Sequence, residues 1–277
     1  MAEEAQLQVA LDFVNESQAL RAAGEAYEGG ARRLEAGTPL IKSEGLDIVR
    51  SLRREFPDAT IVADMKIMDA GRVEVEAAAK AGADVVAVLG AASDATIREC
   101  VEAGRSYDAE IMVDLIEVDN APERALAAQK MGAAIVGVHS PIDVQMEGGT
   151  PFASLQAVAE AVDIPVAAAG GINSETAAKA VESGASLVIV GGAIIKAPDA
   201  RKATEDIIRA ITSGESITTE RYKRGGASEI RQILQKVTAA NVSDAMHRQG
   251  WVPGPKPVRP GLKCVGPALT VWTYPGD

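Results

Sequence analysis

Eight short apolar runs recur along the first three quarters of this 277-residue chain, and each is followed by a segment with helical spacing of its apolar residues. The runs are Gln6–Leu11, Arg32–Glu35, Thr60–Ala63, Asp84–Leu89, Glu110–Val113, Ala134–Val138, Pro165–Ala168 and Leu187–Val190. The helical segments are Ser17–Tyr27, Ile41–Phe56, Arg72–Lys80, Ala95–Ala103, Ala121–Met131, Phe152–Ala161, Ser174–Ser183 and Asp199–Thr212. A helix between two strands carries the chain back to the starting edge, so successive strands run parallel. Eight such units in about 210 residues predict an α/β architecture, a closed (β/α)8 TIM barrel. An open, doubly wound sheet is the alternative. It is disfavoured because Asp12-Phe13-Val14 follows the first strand, where a dinucleotide fold needs a glycine-rich turn.

Composition agrees with buried parallel strands. Hydrophobic residues make up 47% of the chain but aromatics only 3%, so the core must be built from Ala, Val, Ile and Leu. Gly82, Gly132 and Gly184 close helical segments, where a left-handed cap turns the chain into the next strand. Ser93 and Asn173 stand where a helix N-cap is expected.

The pattern stops at a linker, residues 213–225, rich in Ser, Gly and charge. A helix is predicted over 228–240, with Ile230, Ile233, Leu234 and Val237 on one face, and a strand over Ala268–Thr273. Some 50 residues cannot bury much core alone, so 226–277 read as the start of a second domain or as a small α/β appendage. Residues 213–277 hold nine Lys/Arg against five Asp/Glu, leaving 1–212 at a net −15 within the whole-chain −11. Such an acidic first region argues against nucleic-acid binding by the barrel. No apolar run has membrane-spanning length. Met1-Ala2-Glu3-Glu4 has no signal-peptide character, so a cytoplasmic enzyme is expected, with Cys100 and Cys264 as free thiols.

Function in a barrel of this kind gathers at the C-terminal strand ends. Those ends carry Asp12, Glu35, Asp64 with Lys66 and Asp69 just beyond, Asp114 and His139; the last two carry Gly170-Gly171 and Gly191-Gly192. In isolation Asp64-x-Lys66 is an ion pair at a strand end, His139 a structural histidine, and each glycine pair a tight turn. Together they describe a site. Two glycine pairs after the last strands let backbone N–H groups approach a substrate phosphate. Glu35 and Asp64 are hard oxygen ligands suited to Mg²⁺, which takes one or two protein carboxylates. Lys66 beside them can stabilise an enediolate, the anion left when a proton departs carbon next to a carbonyl. His139 can shuttle that proton near neutral pH.

With these residues in place, the first region resembles the orotidine-monophosphate-decarboxylase superfamily, recognised by Asp64-Met65-Lys66-Ile67-Met68-Asp69 after the third strand. Leu11-Asp12 and the run from Glu35 through Gly37-Thr38-Pro39 to Gly45 are similar to the branch of hexulose-6-phosphate synthases and 3-keto-gulonate-6-phosphate decarboxylases. The resemblance spans residues 6–212. It implies Mg²⁺ on Glu35 and Asp64, and a homodimer in which Asp69 reaches into the partner's site. Asp114 stands where decarboxylases carry Glu, and Ile142 where they carry Arg, so the synthase chemistry is favoured: formaldehyde joined to ribulose 5-phosphate, or the reverse. The decarboxylase is the alternative.

The tail resembles the opening of the ribonuclease-activity-regulator or dimethylmenaquinone-methyltransferase-like family, through Thr238–Met246 and Gly261–Ala268. That resemblance implies a third possibility, a regulator acting on a ribonuclease assembly. His247 and Cys264 read as structural.

Overall fold

A computed structural model describes residues 5–140, 151–218, 227–238 and 242. Eight parallel strands close into one barrel in sequence order, with β8 pairing back onto β1. The elements are β1 (Gln6–Leu11), α1 (Glu16–Glu28), β2 (Arg33–Ala36), α2 (Thr38–Glu44), α3 (Asp47–Glu55), β3 (Thr60–Ile67), α4 (Gly71–Ala81), β4 (Val85–Leu89), α5 (Asp94–Tyr107), β5 (Glu110–Asp114), α6 (Ala121–Met131) and β6 (Ile135–His139). They continue with α7 (Phe152–Ala161), β7 (Val166–Ala169), α8 (Ala177–Glu182), β8 (Leu187–Val190), α9 (Gly192–Ile195), α10 (Ala200–Ser213) and α11 (Ala227–Lys236). The predicted (β/α)8 barrel is the observed fold.

Alternation along each strand sorts the core into two clusters. Leu7, Val9, Leu11, Leu34 and Ile61 face outward against helical residues such as Ala23, Leu52 and Ile97. Ala10, Val62, Val85, Ala87, Met112, Ile135, Ala167 and Leu187 form a separate inner cluster that fills the barrel. Successive side chains point to opposite faces, so every inner residue has an inward companion two positions on. At the C-terminal ends those companions are Asp12, Asp64 and Asp114, with His139 one inward step beyond Gly137 on β6. The same pleat that packs the barrel aims the site.

Three boundaries differ from expectation, each for a local reason. The segment Ile41–Phe56 is two helices, α2 and α3, because Gly45 at φ 66° breaks the first. Asn173 caps a turn rather than a helix: its Oδ1 accepts from the N–H groups of Glu175 and Thr176, which delays α8 to Ala177. β3 runs to Ile67, four residues past the apolar run, through a bulge. The helix caps at Ser93, Gly82 and Gly132 form as their residue types require, the two glycines at φ 108° and 98°.

The chain separates into two compact units, Met1–Arg221 and Tyr222–Asp277. In the second unit the described helix is α11, shorter than the expected 228–240, with Ile233 exposed. The expected strand Ala268–Thr273, His247 and Cys264 lie outside the described residues. Among the described residues Cys100 is a free, buried thiol.

Candidate active site

The bulge in β3 is the device that builds the site. Between Ala63 and Ile67 the pairing with β4 advances only from Val86 to Val88, so β3 carries extra residues there. Lys66 takes up the excess in a left-handed conformation, φ 46°. For a residue with a long side chain this costs on the order of 1 kcal/mol. The kink leaves Asp64 almost wholly buried and brings Lys66 Nζ to 3.1 Å from its Oδ2. Plain strand alternation predicts the shared face of this pair but not the bend that closes it.

Lys66 Nζ also donates to Asp114 Oδ2 at 2.6 Å, and His139 Nδ1 meets the same oxygen at 3.2 Å. Asp114 Oδ1 accepts from the Ile116 N–H at 3.0 Å. Burial is the largest single influence on Asp114 and opposes its charge. The His139 hydrogen bond and the Lys66 ammonium together outweigh burial and hold its carboxyl down to about 2. Burial likewise opposes the Lys66 charge, yet Asp114 and then Asp64 raise its pKa above the usual lysine value. Near neutral pH Lys66 is therefore held as an ammonium and Asp114 as a carboxylate.

On the other side of Asp64 three carboxylates crowd together. Glu35 is buried; desolvation first, then the charges of Asp64 and Asp12, push it up to about 8. Asp12 stands at the rim, open to solvent on one side. Its carboxylate packs over Gly37 and Gly191, where a Cβ would overlap it. Desolvation and the Asp64 charge push its pKa upward, opposed by His139, Lys66 and Lys196. Excess negative charge in a dry place is what a cation relieves.

The glycines follow β7 and β8 as expected. Gly170 and Gly171 adopt φ 106° and 72°, a consecutive left-handed pair that side chains disfavour. Gly191 precedes the short turn α9, which starts at Gly192. Asp69 is the expected site residue that the described contacts leave out of the cluster. It is exposed, and its Oδ1 accepts from the N–H of Ala70 at 2.8 Å, at the start of α4. Ile142 lies outside the described residues.

Two side chains escaped the strand-end reading. Thr38 Oγ1 reaches Asp64 Oδ2 at 2.8 Å and the Asp64 carbonyl at 2.9 Å, steadying the carboxylate from α2. Gln8 Nε2 donates to Glu35 Oε2 at 2.6 Å from inside the barrel. The signal for Gln8 was a polar residue at an inward position of an otherwise apolar strand. Cavity size does not single out the site. A cavity of about 420 Å³ lies between α5 and α6, lined by Arg98, Arg105 and Lys130, with none of these site groups in its lining. A smaller one, about 220 Å³, opens beside His139 and Ser140.

The family model for the orotidine 5'-phosphate decarboxylase / HUMPS family matches residues 5–207. The chain belongs to this family. Curated relatives in the family agree. A 3-hexulose-6-phosphate synthase of Mycobacterium gastri is 38% identical over 205 residues, 74% of this chain and 99% of the relative. Another, of Bacillus subtilis, is 37% identical over 210 residues, covering 76% and 100%. A crystal structure of a 3-hexulose-6-phosphate synthase from Salmonella typhimurium superposes with a TM-score of 0.73 at 31% identity, over 76% of this chain and 100% of that one. A crystal structure of the KGPDC of Streptococcus mutans gives a TM-score of 0.71 at 27% identity, over 76% and 98%. The family model's match ends at residue 207, before the tail.

Proposed function

We propose that the chain is a carbon–carbon lyase of the aldolase type, a 3-hexulose-6-phosphate synthase joining formaldehyde to D-ribulose 5-phosphate, or running that reaction in reverse. The observation that carries this is the Lys66–Asp114–His139 cluster beside two buried carboxylates, in a chain 37–40% identical to proteins named for that activity. The aldol reaction needs a proton removed from C1 of the ketose, an oxyanion stabilised at C2, and carbon–carbon bond formation from C1 to formaldehyde. Asp114 takes His139 by Nδ1, which leaves Nε2 as the nitrogen free to exchange a proton. Lys66, held charged by two carboxylates, faces the developing anion. Asp114 has its oxygens occupied and its carboxyl low, so it orients rather than accepts protons. Asp12, with a raised pKa at the rim, is the second group suited to proton transfer. The substrate phosphate is assigned to the backbone of Gly170, Gly171, Gly191 and Gly192, with Lys196 near Asp12 adding positive charge.

Among the described residues no three His, Cys, Asp or Glu side chains group as a metal cage. Mg²⁺ does not need one, since it is held by one or two carboxylates plus water and substrate oxygens. The donor set fits: Glu35 and Asp64 are buried hard ligands, and burial first, then the neighbouring carboxylates, push the Glu35 pKa upward, a penalty that a cation would relieve. Glu35 and Asp64 would hold Mg²⁺, which would supply positive charge for the substrate's oxygens. A homodimer with shared sites accounts for Asp69 standing outside its own cluster, between exposed Met68 and Val73. No helix among the described residues is long and apolar enough to cross a membrane. A cytoplasmic setting belongs to the proposal through the phosphorylated sugar substrate.

Product formation from ribulose 5-phosphate and formaldehyde, with and without EDTA, tests this reading. Metal-dependent aldol turnover is expected. Carbon dioxide release from 3-keto-gulonate 6-phosphate in excess of aldol turnover would assign the decarboxylase instead, and EDTA-resistant turnover would remove the metal.

A further inference from the structure

The barrel interior beneath the site holds a polar chain that the strand ends do not explain. Gln8 is fully buried on the inward face of β1, four residues before Asp12. Around it the inner cluster is apolar, with Ala10, Val62, Val85 and Ile189. A buried amide must be hydrogen-bonded or it destabilises the fold. Gln8 has two partners. Its Nε2 donates to Glu35 Oε2 at 2.6 Å, and its Oε1 accepts from Arg33 Nε at 3.4 Å.

The second contact decides which way the amide faces. With its oxygen towards the Arg33 guanidinium, its NH₂ group must face Glu35; the flipped amide would set carbonyl against carboxylate. Arg33 pairs with Gln8 across the β1–β2 register and keeps a buried Nη2 without a hydrogen-bond partner among the described residues. A simple filler of the barrel floor would need no such guanidinium. Glu35, two residues further along β2, receives its one described hydrogen bond on Oε2, which leaves Oε1 without a partner among the described residues.

We propose that Gln8, oriented by Arg33, is a positioning residue for Glu35: it holds the carboxylate by one oxygen and keeps the other available to a divalent cation. The proposal rests on Glu35 being a cation ligand. A donor to a carboxylate favours its ionised, ligating form and fixes its rotamer, so the cation finds a prepared ligand rather than ordering one. Outer-sphere partners of this kind change metal affinity by roughly 10- to 100-fold when removed.

Direct binding of Mn²⁺ to the 277-residue chain, followed by the electron paramagnetic resonance of free Mn²⁺, tests it without recourse to turnover. Gln8→Met fills similar volume and deletes both polar contacts; the expected result is Mn²⁺ affinity weakened by about 10-fold or more, with the circular dichroism of wild type. Gln8→Asn, whose amide is one methylene short of Glu35, should show the same loss and serves if the methionine variant does not fold. Leu11→Ala, on the outward face of β1, controls for damage to the barrel: it should lower Tm and leave Mn²⁺ affinity within about twofold. Gln8 variants that bind Mn²⁺ as wild type does would overturn the proposal and make Gln8 a core residue only. Wild type that binds no Mn²⁺ would overturn the cation site itself, and the proposal with it, before any variant is compared.

Discussion

Lys66 Nζ lies 2.6 Å from Asp114 Oδ2, an oxygen that His139 Nδ1 also approaches, to 3.2 Å. One carboxylate oxygen, at the end of β5, thus fixes a cation from β3 and an imidazole from β6. Three strand ends are tied at one atom. The arrangement makes Asp114 the anchor of the site and predicts that its loss disturbs both partners together.

Replacing Lys66 by Ala removes the ammonium that the proposed mechanism sets against the developing anion. Turnover should fall roughly 10²- to 10³-fold, the usual cost of one oxyanion-stabilising contact. Affinity for a phosphate-bearing substrate analogue should change little, because the glycine loops proposed to hold it are untouched. Steady-state kinetics with a binding titration separates the two. A variant with near-normal kcat would remove Lys66 from the mechanism.

Asp114 should contribute to the acid limb of stability. Its carboxyl is about 2 in the fold against an ordinary value of 3.8. A depressed carboxylate contributes stability that is complete above the unfolded value and lost as pH falls through the folded one. The contribution is therefore lost between about pH 4 and pH 2, and amounts to about 2 kcal/mol by linkage. Asp114→Asn should flatten the stability curve in that interval, measured by urea unfolding across pH.

Glu35 has the opposite sign. Its folded pKa is raised to about 8, so the metal-free fold binds a proton that the unfolded chain lacks. Stability should rise as pH falls from above 8 towards 5, and Glu35→Gln should abolish that rise while increasing Tm at about pH 9. Mg²⁺ should raise the wild-type Tm more at about pH 8 than at about pH 6, because at lower pH it must displace the proton. Thermal scans with and without Mg²⁺ check all three.

Asp69 offers a test of shared sites. If it serves the neighbouring subunit, mixing inactive Lys66→Ala and Asp69→Ala proteins after subunit exchange should restore about a quarter of wild-type activity, through heterodimers with one intact site. Exchange without recovery would return Asp69 to its own subunit or to none.

Much of this was legible in the sequence because a barrel translates strand order into place. Once eight strand–helix units are counted, Asp12, Glu35, Asp64, Asp114 and His139 must converge, and they do in the described contacts and charges. The bulge at Lys66 was not legible. Alternation alone gives the right face, whereas the left-handed turn depends on register with β4, which no local pattern encodes. Gln8 and Thr38 escaped for a related reason. They act from below the rim and from the first turn of α2, so listing strand ends passes over both. Gly45 falls inside a helical period by spacing alone, and its positive φ splits the segment. The tail's resemblance falls on residues that are almost all outside the described ones, and the family model's match ends before it.

The central claim is that Lys66 and its neighbours stabilise an enediolate of the ketose. Exchange of the C1 protons of ribulose 5-phosphate in D₂O, with formaldehyde omitted, isolates that half-reaction and is read by proton NMR. The account predicts loss of one C1 proton signal with wild type at a rate comparable to turnover, and no such loss with Lys66→Ala. Undiminished exchange by Lys66→Ala, or aldol turnover by wild type without any exchange, would contradict it.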